Sequence, residues 1–141
     1  MKYSSYITLF LFAVVAIGCG DNIKLGGRVA FSDNGEPLQT GTVVFVNDTS
    51  QAIGAIQEDG TYVVSYSGNS DGLPKGNYKV YIADAVLITG GGLDPNTGAF
   101  LPQYETPLID KKLTNVQTSD LNIHVDGSFK KFDIQVERFK K

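Results

Sequence analysis

The sequence predicts an all-β protein, a seven-stranded antiparallel Greek-key sandwich, from three observations. Beyond residue 20, no long stretch repeats its apolar residues with a helical period of 3.6. Short runs of Val, Ile, Thr, Tyr and Phe recur instead, each bounded by Gly, Pro, Asn or Asp. The composition agrees: 42% of residues are hydrophobic and 19% charged, with Gly 16, Phe 8, Tyr 7 and Trp 0. β-Branched and aromatic side chains suit a pleated, half-buried surface. A chain of 141 residues supports one compact domain, which excludes multidomain machinery.

The elements follow in order. Lys24 to Phe31 predicts a first strand with Leu25, Val29 and Phe31 inward, interrupted by the Gly26-Gly27 pair. Ser32 to Pro37 is dense turn chemistry, and its Asn34-Gly35 step supplies positive φ. Thr42 to Val46 is a second strand, Asn47 to Ser50 a hairpin loop, and Ala52 to Gln57 the returning strand. Glu58-Asp59-Gly60 turns tightly into a strand over Thr61 to Tyr66. Gly68 to Gly76 reads as a loop, because Gly, Pro and Asp recur through it. Asn77 to Ile82 carries aromatic and aliphatic residues on both parities and predicts a strand central to its sheet. Thr89 to Gln117 shows no strand pattern; with Gly90-Gly91-Gly92, Asp94 to Gly98, Pro102 and Pro107 it reads as a long functional or mobile loop. Asp120 to Val125 alternates strictly, Asp126 to Ser128 turns, and Phe132, Ile134 and Val136 mark the last strand. Almost no helix is expected.

At the N-terminus, Lys2 precedes an apolar run from Ile7 to Ile17 that Gly18, Gly20 and Asp21 bring to an end. This is the order of regions in a secretory signal peptide, and the run falls short of the ~20 residues a membrane-spanning helix needs. Ala16-Ile17-Gly18-Cys19 resembles the bacterial lipobox, with Ala16 where that motif more often has Leu. The resemblance implies a signal peptide over 1–18, a diacylglyceryl group on the Cys19 thiol, a lipidated N-terminus and short tether over 19–22, and a domain over 23–141. The partner would then be a membrane, reached through the N-terminal lipid. Gly20 rather than Asp after the cysteine implies an outer-membrane address, with a secreted or periplasmic product as the alternative. A lone thiol in an oxidising compartment otherwise lacks a reason.

Two further stretches carry a family likeness. Gly26 to Phe31, Gly35-Glu36-Pro37-Leu38 and Gly41 to Phe45 resemble the opening of carboxypeptidase regulatory-like domains, with their strand, "G-x-P-L" turn and second strand. Asp59-Gly60-Thr61-Tyr62 and Leu73-Pro74-Lys75-Gly76-Asn77-Tyr78-Lys79-Val80 resemble the family's "D-G-x-Y" and "L-P-x-G-x-Y-x-V" forms. Lys111 to Ile134 is similar to the end of small bacterial lipoproteins carrying the same sandwich. The resemblance covers most of the chain beyond the leader and implies a transthyretin-like, prealbumin-like fold. Physically, Gly60 and Gly76 allow positive φ before a strand, Pro74 stiffens the approach, and Tyr62 and Tyr78 offer a large apolar body with a hydroxyl.

Catalytic plans fail on inventory. His 1 and Cys 1 rule out a zinc cluster, a dithiol pair or a disulfide framework within one chain. A net charge of -3 argues against nucleic acid as a partner. His124 shares parity with Asn122 and Asp126, so it faces outward. Among enzymes with related sandwiches, a hydroxyisourate hydrolase needs several histidines and a terminal Tyr-Arg-Gly-Ser, and intradiol dioxygenases need two histidines for iron. This chain has neither set. Asp94, with Glu105 at the twelfth position counted from it, superficially matches a calcium loop, but Gly98 and Ala99 break its middle. No catalytic residue, cofactor or metal is therefore expected. Tyr62, Tyr66, Tyr78 and Tyr81 suggest an aromatic platform, with sheet core as the stronger reading. Phe100 and Tyr104, with Leu101 and Leu108 in the same segment, are the ligand-contact candidates, since loops on a rigid sandwich commonly bind. The sequence thus predicts a non-enzymatic, lipid-anchored envelope protein with a structural or protein-interaction role. The alternative is a glycan- or peptide-binding module using the 89–117 loop, its partner an envelope protein or polysaccharide.

Overall fold

The β-branched runs of the sequence lie on strands in a computed structural model, which describes residues 22–66, 70–127 and 130–141. The expected signal peptide, and Cys19 with it, lies outside the described residues. The strands are β1 (Leu25–Phe31), β2 (Thr42–Val46), β3 (Gln51–Ala55), β4 (Thr61–Val63), β5 (Ser65–Tyr66), β6 (Ser70–Asp71), β7 (Gly76–Ala83), β8 (Val86–Gly90), β9 (Gln103–Pro107), β10 (Leu121–Val125), β11 (Lys130–Lys131) and β12 (Ile134–Val136). A 3₁₀ turn spans Lys111–Thr114, its Lys112 amide donating to the capping Asp110 carboxylate. The protein is all-β.

Six strands form an antiparallel sheet in the order β10, β7, β2, β3, β5, β6. A second sheet centres on β1, which pairs antiparallel with β4 and parallel with both β11 and β12. That parallel seam corrects the expectation of purely antiparallel sheets. An alternating pattern fixes which side chains point inward but not which way the chain runs, because the period of two is the same in both cases.

The run Thr61 to Tyr66, expected as one strand, divides at Val64. Its first half pairs with β1 and its second half with β3, and the Val64 amide donates to the Leu25 carbonyl at the crossing point. This one segment therefore ties the two sheets together at an edge. β3 also ends earlier than expected: Ile56 leaves the strand and donates its amide to Gly41.

The core lies between these layers. Leu25, Val29, Phe31, Ile134 and Val136 face Val43, Phe45, Tyr78, Val80 and Ile82 across it. Fully burying a side chain of this size contributes roughly 1.5–3 kcal/mol. Phe45 is central, its ring 6.2 Å from Tyr62 and 6.3 Å from Phe132. Tyr62 is buried on β4, and its hydroxyl donates to the Phe132 carbonyl at 2.5 Å. Gly27 permits that arrangement, since a Cβ there would stand 2.0 Å from the same carbonyl oxygen. Where the β1 seam is broken at Phe132 and Asp133, the Asp133 carboxylate takes over and accepts from the Arg28 amide at 2.9 Å.

The segment 89–117 departs most from expectation. It is not a structureless loop, because β8 and β9 zip into a hairpin from Val86↔Pro107 to Gly90↔Gln103, and Leu93 bridges Phe100 beyond it. Both faces of this hairpin are largely in water, so no inward-facing row of apolar residues marks it in the sequence.

Candidate functional site

The hairpin β8–β9 is a sheet of its own and forms an arm on the sandwich. The chain enters it through a sharp bend: Asp84 takes φ 56°, a left-handed conformation rare for a non-glycine residue. Its carbonyl then accepts from the Val86 amide at 2.9 Å. The arm returns through Leu108, whose amide donates to Ala85, and Ile109, which is buried and bridges Arg138. Leu108, expected as part of a contact surface, is instead partly buried against the core.

Exposed apolar surface concentrates on the arm. Among the described residues, Leu87, Ile88, Leu93, Phe100, Leu101 and Tyr104 are large and exposed here, against only Ile53 and Val63 elsewhere. Phe100 is 89% exposed and Tyr104 61%. The two ligand-contact candidates therefore sit on one ordered element. The sequence marks Leu87, Ile88 and Leu93 only through the uncharged run from Ala85 to Leu93.

A cleft of about 710 Å³ lies at the root of the arm, between Val86 to Ile88 on one side and Pro37 to Thr40 on the other. Arg138 lines it. The guanidinium donates to Asp33 at 2.8 Å and to Glu36 at 3.0 Å, and stacks 3.9 Å above the Phe31 ring. The hydrogen bond to Asp33, and then the pair with Glu36, hold this guanidinium above its ordinary pKa. The cation is thus committed to clamping the C-terminus against the 32–37 turn.

Other candidates have structural partners. Tyr62 and Tyr78 are buried, with hydroxyls bonded to Phe132 and Pro74, so the four tyrosines do not form an exposed platform. Burial, reinforced by the nearby Asp133 charge, raises the Tyr62 phenol well above its ordinary pKa. His124 is exposed on β10 as its parity predicted, with Nδ1 against Asn77 Oδ1 and Nε2 3.6 Å from Asp126. The Asp94 carboxylate accepts from the amides of Asn96 at 2.8 Å and Thr97 at 3.2 Å, which makes it the keystone of the turn at the arm's tip. Among the described residues no cluster of three or more His, Cys, Asp or Glu could hold a metal. No helix among them is long and apolar enough to cross a membrane.

No family model matches the chain, and no curated protein matches it. Among solved structures, it is similar to the major pilin subunit of Bacillus cereus, with a TM-score of 0.46 and 12% sequence identity. The match covers 84% of this chain and 30% of the pilin chain, so it spans less than a third of that protein's length.

Proposed function

We propose that this protein is a non-enzymatic, lipid-anchored envelope protein of carboxypeptidase regulatory-like type. Its seven principal strands make a Greek-key, transthyretin-like sandwich, and its arm is the surface that meets a protein partner. The observation that carries this reading is the gathering of exposed apolar side chains on one hairpin. A group of large apolar side chains left exposed on one element of a domain reads as an interaction site.

Two features support the family reading. Gly60 turns with φ 81° just before buried Tyr62, and the Tyr78 hydroxyl reaches back to Pro74 within the second motif. Placement supports the tether. Ile23 enters β1 from the end where it bonds Leu73, whereas the cleft at the arm's root is lined by Phe31, at the other end of β1. Six residue steps of about 3.3 Å separate the ends of that strand by roughly 20 Å. A lipid on Cys19 would hold one pole at the outer membrane and set the root of the arm at the other.

Two measurements test this. Labelling cells with a palmitate analogue should mark the wild-type chain but not Cys19→Ala, and an unlabelled wild type removes the anchor. A photo-activatable amino acid at Phe100 should capture a protein adduct, while the same group at Val63, exposed on the sandwich, should not. Equal capture at both sites removes the arm as the contact surface. A second reading, a glycan- or peptide-binding module, draws on the near-complete exposure of the Phe100 ring. Retention on a glycan array that Phe100→Ala and Tyr104→Ala abolish would favour it.

A further inference from the structure

We propose that a second copy of this chain covers the arm, with β8 of one copy pairing antiparallel with β8 of the other about a two-fold axis through Ile88. The inference rests on the reading of the arm as an interaction surface and names its partner.

The hydrogen-bond ladder shows which backbone groups are available. Leu108 donates to Ala85 and Gly91 to Pro102, each across the hairpin. Antiparallel pairs alternate between bonded and non-bonded. The register therefore makes 85/108, 87/106, 89/104 and 91/102 the bonded pairs. Val86, Ile88 and Gly90 consequently turn their N–H and C=O groups away from β9. β8 has no strand partner besides β9 among the described residues.

The two edges of the hairpin differ in chemistry. The β9 edge carries Glu105 and ends on Pro107, with Pro102 just before it, residues that blunt a strand edge. The β8 edge carries no such device, since Ala85 to Leu93 contains neither a charge nor a proline. Self-pairing of β9 would set Glu105 against its own copy and lacks the Pro107 donor. Self-pairing of β8 brings no like charges together.

The register closes on itself. With Ile88 opposite Ile88, Val86 falls opposite Gly90, and all three residues are outward-facing ones. Each Ile88 exchanges an N–H···O=C bond with its mate, and each Gly90 N–H donates to a Val86 carbonyl. The Val86 N–H needs no partner there, because it already donates to Asp84. The antiparallel direction carries each arm's tip, with Leu93 and Phe100, toward the other copy's root cleft beside Phe31 and Leu38. The four-stranded sheet then ends on two β9 edges blunted by proline, so the assembly stops at a dimer, as an isologous contact should.

Oxidative cross-linking of the full chain tests this. Residues opposite each other in a bonded antiparallel pair have Cα atoms about 5.5 Å apart, a separation that a disulfide accepts. Ile88→Cys should give a disulfide dimer in intact cells treated with copper phenanthroline. Glu105→Cys on the outer edge, and the parent chain with Cys19 alone, should stay monomeric. In the otherwise native chain, Ile88→Glu places two carboxylates on the axis, each beside its own copy's Glu105 across the hairpin, and should weaken dimerisation at least tenfold in sedimentation, with an unchanged circular dichroism spectrum. No dimer for Ile88→Cys, or equal dimer for both cysteine variants, overturns the proposal. If Ile88→Cys stays monomeric while the probe at Phe100 captures a different protein, self-pairing is wrong and the arm remains an interaction surface. If neither reports a contact, both readings fall.

Discussion

Tyr62 and Tyr104 each sit on a strand of an antiparallel pair, yet they live in different solvents. Tyr62 is 2% exposed, packs its ring near Phe45, and gives its hydroxyl to a carbonyl of the last segment. Tyr104 is 61% exposed on a hairpin that, among the described residues, hydrogen-bonds as a strand to no other sheet. The sandwich satisfies itself: among the described residues every buried side-chain nitrogen or oxygen has a hydrogen-bond partner. The arm leaves its larger apolar side chains in water, and an isolated two-stranded hairpin is marginal by itself. The contrast teaches where selection for stability ends and where another constraint must act. Residues that hold the fold together are buried and bonded, whereas residues exposed at a cost in solubility point to a surface that something covers.

Substitutions in the two regions should separate them sharply. The largest effect is expected at Phe45, where truncation to alanine empties the centre of the core and should cost about 3–5 kcal/mol in urea unfolding. A cost near that of an exposed site would mean the sheets do not pack as described. Next comes Gly27→Ala, whose Cβ would collide with backbone rather than a flexible side chain. It should cost about 1–3 kcal/mol by forcing the last segment away from β1. Tyr62→Phe keeps the ring and deletes the donor to Phe132, a change expected to cost about 1–2 kcal/mol. On the arm, Leu93→Ser should move stability by no more than about 0.5 kcal/mol, while reducing capture by the photo-probe at Phe100. Hydrogen exchange offers the same comparison without mutation. Amides of the arm should exchange through local opening, and those of β2 and β7 only with global unfolding. Equal protection in both regions would dissolve the distinction.

Much of the sandwich was legible because half-buried strands write their burial as alternation. Leu121, Ile123 and Val125 face inward from β10, and Ile134 and Val136 from β12, as their spacing implies. Turn chemistry was equally readable, since Gly35 and Gly60 take positive φ where their neighbours demanded it. What the sequence concealed has physical causes. Strand direction leaves no trace in a period of two, so the parallel seam of β1 with β11 and β12 was invisible. A switch of sheets at Val64 changes partners without changing alternation. The arm was hidden because both of its faces are wet, so Gln103, Glu105 and Thr106 sit among Leu87, Ile88 and Tyr104 with no inward row to detect. Of the contact surface, Phe100 and Tyr104 were readable as aromatic residues in a polar stretch. Their neighbours Leu87 and Ile88 were masked by resembling the tail of an ordinary core strand.

Acid should distinguish the two regions last and most weakly. Asp133 stands where the β1 seam is interrupted, accepting from the Arg28 amide and pairing with Lys131 at 3.0 Å. The hydrogen bond to Lys131 leads in holding its carboxyl below the ordinary 3.8, helped by the Arg28 amide and opposed by partial burial. A carboxyl with a folded pKa below its unfolded value binds fewer protons in the native state. Its contribution is complete above the unfolded value and disappears as pH falls through the folded one. Asp133→Asn should therefore lower the urea midpoint slightly at pH 7 and flatten its decline below pH 4, because the group that loses its charge is gone. The Arg28 amide should exchange faster in this variant while the Ile88 amide on the arm is unmoved, since the carboxylate bonds the seam and not the hairpin. A midpoint that falls just as steeply with acid in Asp133→Asn as in wild type would show that Asp133 does not hold the seam through its charge.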